Sequence, residues 1–101
     1  MKNIYKIVWT EFALEELAET IKYLDHFYNS KELHHLAVEI EKTIELISNN
    51  PLLFHVDENK NIHRKVVAKY NTLYYHIKEE EKVVEILSFF SNRQDPQKRS
   101  L

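Results

Sequence analysis

Six side chains in the C-terminal half could act together on a charged substrate: Arg64, Lys65, Lys69, Tyr74, His76 and Arg93. Metal-free RNA cleavage has matching needs. It takes a base for the 2′-hydroxyl proton, an acid for the leaving oxygen, and cations against the charge of the phosphorane. Histidine is the side chain that exchanges protons near neutral pH, which makes His76 the candidate base or acid. Arg93, Lys69 and Lys65 are the candidate cations. Arg64 and Lys65 are consecutive in a strand-like run, so they point to opposite sheet faces, and at most one of them joins His76. The plainer account of the same residues is a solvated strand face.

The chain carries six histidines. His34 and His35 are neighbours on a helix, about 100° apart, and cannot readily share one ion. His26, His55, His63 and His76 show no ligand spacing such as HExxH. No metal site is expected, and these histidines read as solvated helix and loop residues. The pairs Asp25 with Glu32 and Glu39 with Glu41 lie on acidic helix faces and read as solvated charge.

Periodicity defines the elements that must position these groups. Residues 4–9, IYKIVW, are a short β-branched and aromatic strand. Thr10 reads as a helix N-cap, and Leu14, Leu17, Ile21, Leu24 and Tyr28 then recur at helical spacing. On that helix Glu15, Glu16, Glu19 and Lys22 should face water. Asn29-Ser30 breaks the pattern, with Ser30 as the next cap. A second helix follows, with the stripe Leu33, Leu36, Ala37, Ile40, Ile44 and Ile47. It stops at Asn49-Asn50-Pro51, because the residue before proline avoids the helical region. Residues 51–61 have no period and read as a loop pinned by Leu52, Leu53 and Phe54. Three strands follow at 62–68, 72–78 and 82–90. The middle one alternates Leu73, Tyr75 and Ile77 against Tyr74, His76 and Lys78. The last is apolar throughout, as in an interior strand covered on both sides.

The order β-α-α-β-β-β predicts one α+β domain over residues 1–101, with a helical hairpin packed on a four-stranded, mainly antiparallel sheet. The other sheet face is the expected working surface. Phe12, Leu14, Val38, Leu46, Tyr70 and Tyr74 add apolar area that could receive a partner.

Composition sets further bounds. The chain has 101 residues, 44% of them apolar and 30% charged, with neither cysteine nor glycine. Disulfides, thiolate metal sites and glycine-rich phosphate loops are therefore excluded. Turns with positive φ must fall on Asn or Asp. No signal peptide or membrane span is read, and the protein is expected in the cytoplasm. Net charge is −2: residues 1–50 hold 5 basic and 9 acidic side chains, and residues 51–101 hold 9 and 7. That basic bias is weak for a nucleic-acid binder.

Several local patterns occur together in one order. They are Tyr5-Lys6-Ile7 with Ala13 and Leu17, Ile40 to Ile47 before Asn50-Pro51, and His63-Arg64-Lys65-Val66-Val67 with Tyr70. Leu73-Tyr74-Tyr75-His76-Ile77, Val83-Val84-Glu85-Ile86-Leu87 and Asn92-Arg93-Gln94-Asp95-Pro96 complete the series. In this order the chain resembles the RelE/ParE superfamily of type II toxin–antitoxin toxins, nearly end to end. The resemblance implies a plasmid-stabilisation type toxin, neutralised by a cognate antitoxin and able to form oligomers with it or with itself. In the RelE-like branch it implies metal-free mRNA cleavage on the ribosome, and in the ParE-like branch poisoning of DNA gyrase.

Arg93 matches the arginine that follows the final strand in both branches, where RNA-cleaving members would use it on the transition state. The cation expected after the second strand falls near Ala68-Lys69. The tail Gln97-Lys98-Arg99-Ser100-Leu101 has no Tyr or His to serve as acid or base. These departures favour the ParE-like branch, acting by protein contact without cofactor or metal, with Arg64, Tyr74 and Arg93 as antitoxin- or target-binding residues. The alternatives are an mRNA endoribonuclease using Arg93, His76, Lys69 and Lys65, and a non-toxic homologue that only binds antitoxin.

Overall fold

A computed structural model describes residues 4–92. Strand β1 (Lys6–Trp9) leads into helices α1 (Glu11–Phe27) and α2 (Ser30–Asn49). Strands β2 (Val56–Asp57), β3 (Ile62–Val67), β4 (Asn71–Lys78) and β5 (Val83–Ser91) follow. The sheet order is β1-β5-β4-β3-β2, with β1 parallel to β5 and every other pair antiparallel. The α+β arrangement is as expected from the sequence, with one strand more. That strand is β2, whose two residues are too few to show a period. It lies in a segment expected to be pinned by Leu52 and Leu53, yet both are exposed. Phe54, the third residue expected to pin it, does pack against the core, and Pro51 is buried from a single 3-10 turn.

The helix ends follow from their capping residues. The Thr10 hydroxyl accepts the Ala13 N–H at 3.1 Å and also donates to the Ile86 carbonyl at 2.9 Å, so one side chain starts α1 and fastens it to β5. The cap of α2 is Asn29 rather than Ser30. Its backbone is extended and its side chain accepts the Glu32 N–H at 3.2 Å, leaving Ser30 as the first helical residue.

The buried face of α1 is rotated from the expected stripe. Ala13, Thr20 and Leu24 are buried, whereas Leu14, Ile21 and Tyr28 remain largely exposed. Small residues at 13 and 20 let the helix approach β5 closely, and Thr20 satisfies its hydroxyl on the Glu16 carbonyl at 3.1 Å. Apolarity alone does not reveal that face. Helix α2 buries Leu36, Thr43 and Ile47, close to expectation. Leu24, Leu36 and Ile47 join Val67, Leu73, Tyr75, Val84, Ile86 and Phe89 in one core. Each fully buried aliphatic side chain there stabilises by about 1.5–3 kcal/mol.

Strand β5 is interior in the sheet but covered by helices on one face only. Val84, Ile86 and Phe89 are buried, while Val83, Glu85 and Leu87 on the other face are half-exposed. The strand also carries a β-bulge: Tyr74 faces Ser88 and Tyr75 faces Ile86, so Leu87 is the extra residue. The bulge lets Ile86 and Phe89 both point into the core although they are three apart.

Without glycine, positive φ falls on Asn61 (57°), Ala68 (52°), Lys69 (74°) and Lys82 (56°). Asn61 is the kind of residue expected there, and the other three are not. Ala68 and Lys69 open the three-residue turn, 68–70, that joins β3 to β4 between the paired Val67 and Asn71. Each such non-glycine residue costs about 1–2 kcal/mol of steric strain.

Candidate functional site

The face of the sheet away from the helices gathers Arg64 and Val66 from β3, Tyr74 and His76 from β4, and Glu85 from β5. Arg64 and Tyr74 are direct cross-strand partners, as are His76 and Glu85. His76 Nε2 lies 2.8 Å from Glu85 Oε1, and Lys78 Nζ lies 3.8 Å from Glu85 Oε2. The imidazole is thus held by a carboxylate two strand positions from Tyr74. Glu85 did not stand out in the sequence, because it interrupts an otherwise apolar run. Cross-strand register is the signal that pairs it with His76.

The structure separates the other candidates. Lys65 is on the core-side face, paired with Leu73, and its ammonium lies 5.3 Å from the centre of the Phe54 ring. Alternation thus sends Arg64, not Lys65, to the face of His76. Lys69 sits in the β3–β4 turn, its ammonium 5.6 Å from the Tyr70 ring centre. Arg93 lies outside the described residues. Just before it, the Asn92 N–H donates to the Tyr70 carbonyl at 2.7 Å, which fastens the end of β5 beside the Lys69 turn. Arg64 is exposed and Tyr74 half-buried, and both line an open cavity of about 540 Å³ at the β2 edge.

His63 departs from the expected solvated histidine. Its residue is 3% exposed, and its ring stacks on Tyr75 with centroids 5.0 Å apart and planes 15° apart. Among the described residues, Nδ1 has no hydrogen-bond partner. Tyr75 in turn donates its hydroxyl to the Pro51 carbonyl at 2.6 Å, and burial pushes its phenol up to about 12. No sequence pattern marks His63 as buried, since alternation alone does not say which strand face is covered.

Burial first, and the nearby His55 second, hold His63 below its ordinary value of 6.5. A histidine kept neutral in the fold, but free to protonate when unfolded, lowers stability as pH falls through the unfolded-state value. The loss levels off once pH drops below the depressed folded value. Substituting His63→Phe, which keeps the stacking surface, is therefore expected to flatten the fall in unfolding free energy between about pH 7.5 and about pH 5.5. Urea titrations at both pH values, on both proteins, check this. An unchanged slope assigns the acid sensitivity to other groups.

On α1, Leu14 and Ile21 are substantially accessible on one side, and Phe12 is accessible on the opposite side. Among the described residues no group of three His, Cys, Asp or Glu side chains could hold a metal ion, and no helix is long and apolar enough to cross a membrane.

Comparison with known proteins bears on both the fold and the family. The chain is similar in structure to the chromosomal ParDE TA system from P. aeruginosa, with a TM-score of 0.70 at 11% identity over 89% of this chain and 98% of that one. At that identity the likeness speaks for the fold. No curated protein matches the chain in sequence. The family model of the ParE toxin of the type II toxin–antitoxin system, parDE, matches residues 7–96. That match spans β1 to β5, the capped hairpin and the sheet face described above, and this chain therefore belongs to the ParE toxin family of type II toxin–antitoxin systems.

Proposed function

We propose that this chain inhibits growth by binding DNA gyrase in the cytoplasm, and that a cognate antitoxin neutralises it. The observation that carries the choice of target is the dispersal of the groups an RNA-cleaving site would need. Lys65 and His76 occupy opposite sheet faces, Lys69 belongs to a hairpin turn, and His76 is engaged by Glu85. A general base and its cations must converge within hydrogen-bond reach of one phosphate. Protein contact needs no such convergence. The accessible Leu14 and Ile21 on one side of α1 supply apolar area for an antitoxin, and an amphipathic helix is one common way to cover such a surface.

The test is induced expression with and without the neighbouring reading frame, combined with a supercoiling assay on purified gyrase and mapping of mRNA ends. The expected outcome is growth arrest that the neighbouring frame relieves, lost supercoiling, and unchanged mRNA ends. Codon-phased mRNA cuts would overturn the gyrase target in favour of ribosome-dependent cleavage. Unaffected growth at full expression of folded protein would leave only an antitoxin-binding role.

A further inference from the structure

The cavity at the β2 edge gathers charged side chains of both signs beside an aromatic ring, an arrangement that packing of the core does not require. It is about 540 Å³ and is lined by Asp57, Glu58, Lys60, Arg64 and Tyr74 among others. That volume lies in the range of small-molecule sites. Its rim is built rather than loose. Asp57 Oδ1 accepts the Asn59 N–H at 3.1 Å, and the Asp57 carbonyl accepts those of Lys60 at 3.1 Å and Asn61 at 2.7 Å. Asn61 closes the turn in the left-handed region. Tyr74, the cross-strand partner of Arg64, offers a ring at the wall. Among the described residues neither Arg64, Lys60 nor Glu58 is in an ion pair.

Both signs of charge around one aromatic face disfavour a simple anion. They match a ligand with an anion at one end, N–H donors at the other, and a flat ring between. We propose that this cavity binds a free mononucleotide whose base carries an exocyclic amine. The base lies on Tyr74, the amine donates to the Glu58 or Asp57 carboxylate, and the phosphate is held by Arg64 and Lys60. Arginine suits that task because its fork matches phosphate geometry. The site goes beyond the toxin reading and does not depend on it.

The test is two-dimensional NMR of the labelled full chain titrated with AMP and CMP. Expected are saturable shifts confined to residues 55–64 and 74. UMP, which has a carbonyl in place of the amine, should bind about fivefold more weakly, and adenosine or inorganic phosphate alone at least about tenfold more weakly. Arg64→Gln and Tyr74→Leu should each weaken AMP binding about tenfold, while Lys69→Ala leaves it unchanged. Shifts that do not saturate by about 10 mM would overturn the proposal. So would phosphate binding as tightly as AMP, which would mark an adventitious ion only, or UMP binding equal to AMP. A 5′-phosphorylated oligonucleotide binding more than about tenfold tighter than AMP would overturn the free nucleotide in favour of a strand end.

Discussion

Replacing Glu16 with alanine is expected to cost about 2–3 kcal/mol of unfolding free energy, far more than a helix-surface carboxylate ordinarily contributes. The reason is the bulge in β5. An extra residue in a strand disrupts the ladder locally and leaves backbone groups in need of partners. Here α1 provides them. Glu16 Oε1 accepts the Phe89 N–H at 2.7 Å and the Ser88 hydroxyl at 2.6 Å, while Thr10 takes care of the Ile86 carbonyl. Removing the carboxylate strands a part-buried N–H, a penalty that the better helix propensity of alanine offsets by only a few tenths of a kcal/mol. Glu16→Gln keeps an acceptor oxygen and should lose about 1 kcal/mol or less. Ser88→Ala combined with Glu16→Ala should cost less than the two losses added, because one network is being removed twice. Urea denaturation of the parent, the three single variants and the double variant measures all of this. A loss below about 0.5 kcal/mol for Glu16→Ala would mean that water replaces the carboxylate.

Glu16 also shows where the sequence stops being informative. On a helical wheel it belongs with Glu15 and Glu19, and nothing local distinguishes a carboxylate that caps a distant strand from one in water. The bulge is equally silent, since Val83 to Phe90 is apolar almost throughout and has no alternation for an extra residue to break. Elements with a strong period were legible: both helices, the alternation of β4, the caps at Thr10 and Asn50-Pro51. The two-residue β2 was not, and neither was the rotation of α1 toward Ala13 and Thr20, because small and hydroxyl side chains do not register as a buried face. Of the candidate site, alternation was enough to put Arg64 and Lys65 on opposite faces, but not to say which one accompanies His76. That depended on the β3–β4 register, which two left-handed residues without glycine, Ala68 and Lys69, fix against their own steric preference.

Arg93→Ala is expected to abolish most of the growth inhibition while leaving stability nearly unchanged, and the contrast with His76→Ala makes the result interpretable. Arg93 is the residue that the resemblance assigns to function in both branches, so its loss should matter whichever target is met. The chain leading to it is fastened by the Asn92–Tyr70 hydrogen bond and by the buried Ser91 and Asn71, contacts that the substitution leaves in place. Truncation is expected to shift unfolding free energy by less than about 0.5 kcal/mol. Toxicity, read as the inducer level that halves growth rate, should need at least about tenfold more protein, equivalent to one lost charge-assisted contact. Arg93→Lys keeps the charge but not the planar fork, and should recover only part of that loss if the contact is bidentate. His76→Ala should leave toxicity unchanged under gyrase poisoning, because the His76–Glu85 pair then has no proton to move for the target. Under RNA cleavage it should be as damaging as Arg93→Ala. An unfolded Arg93→Ala protein would instead make the arginine structural, and equal toxicity of both alanine variants and the parent would remove both residues from the inhibitory surface.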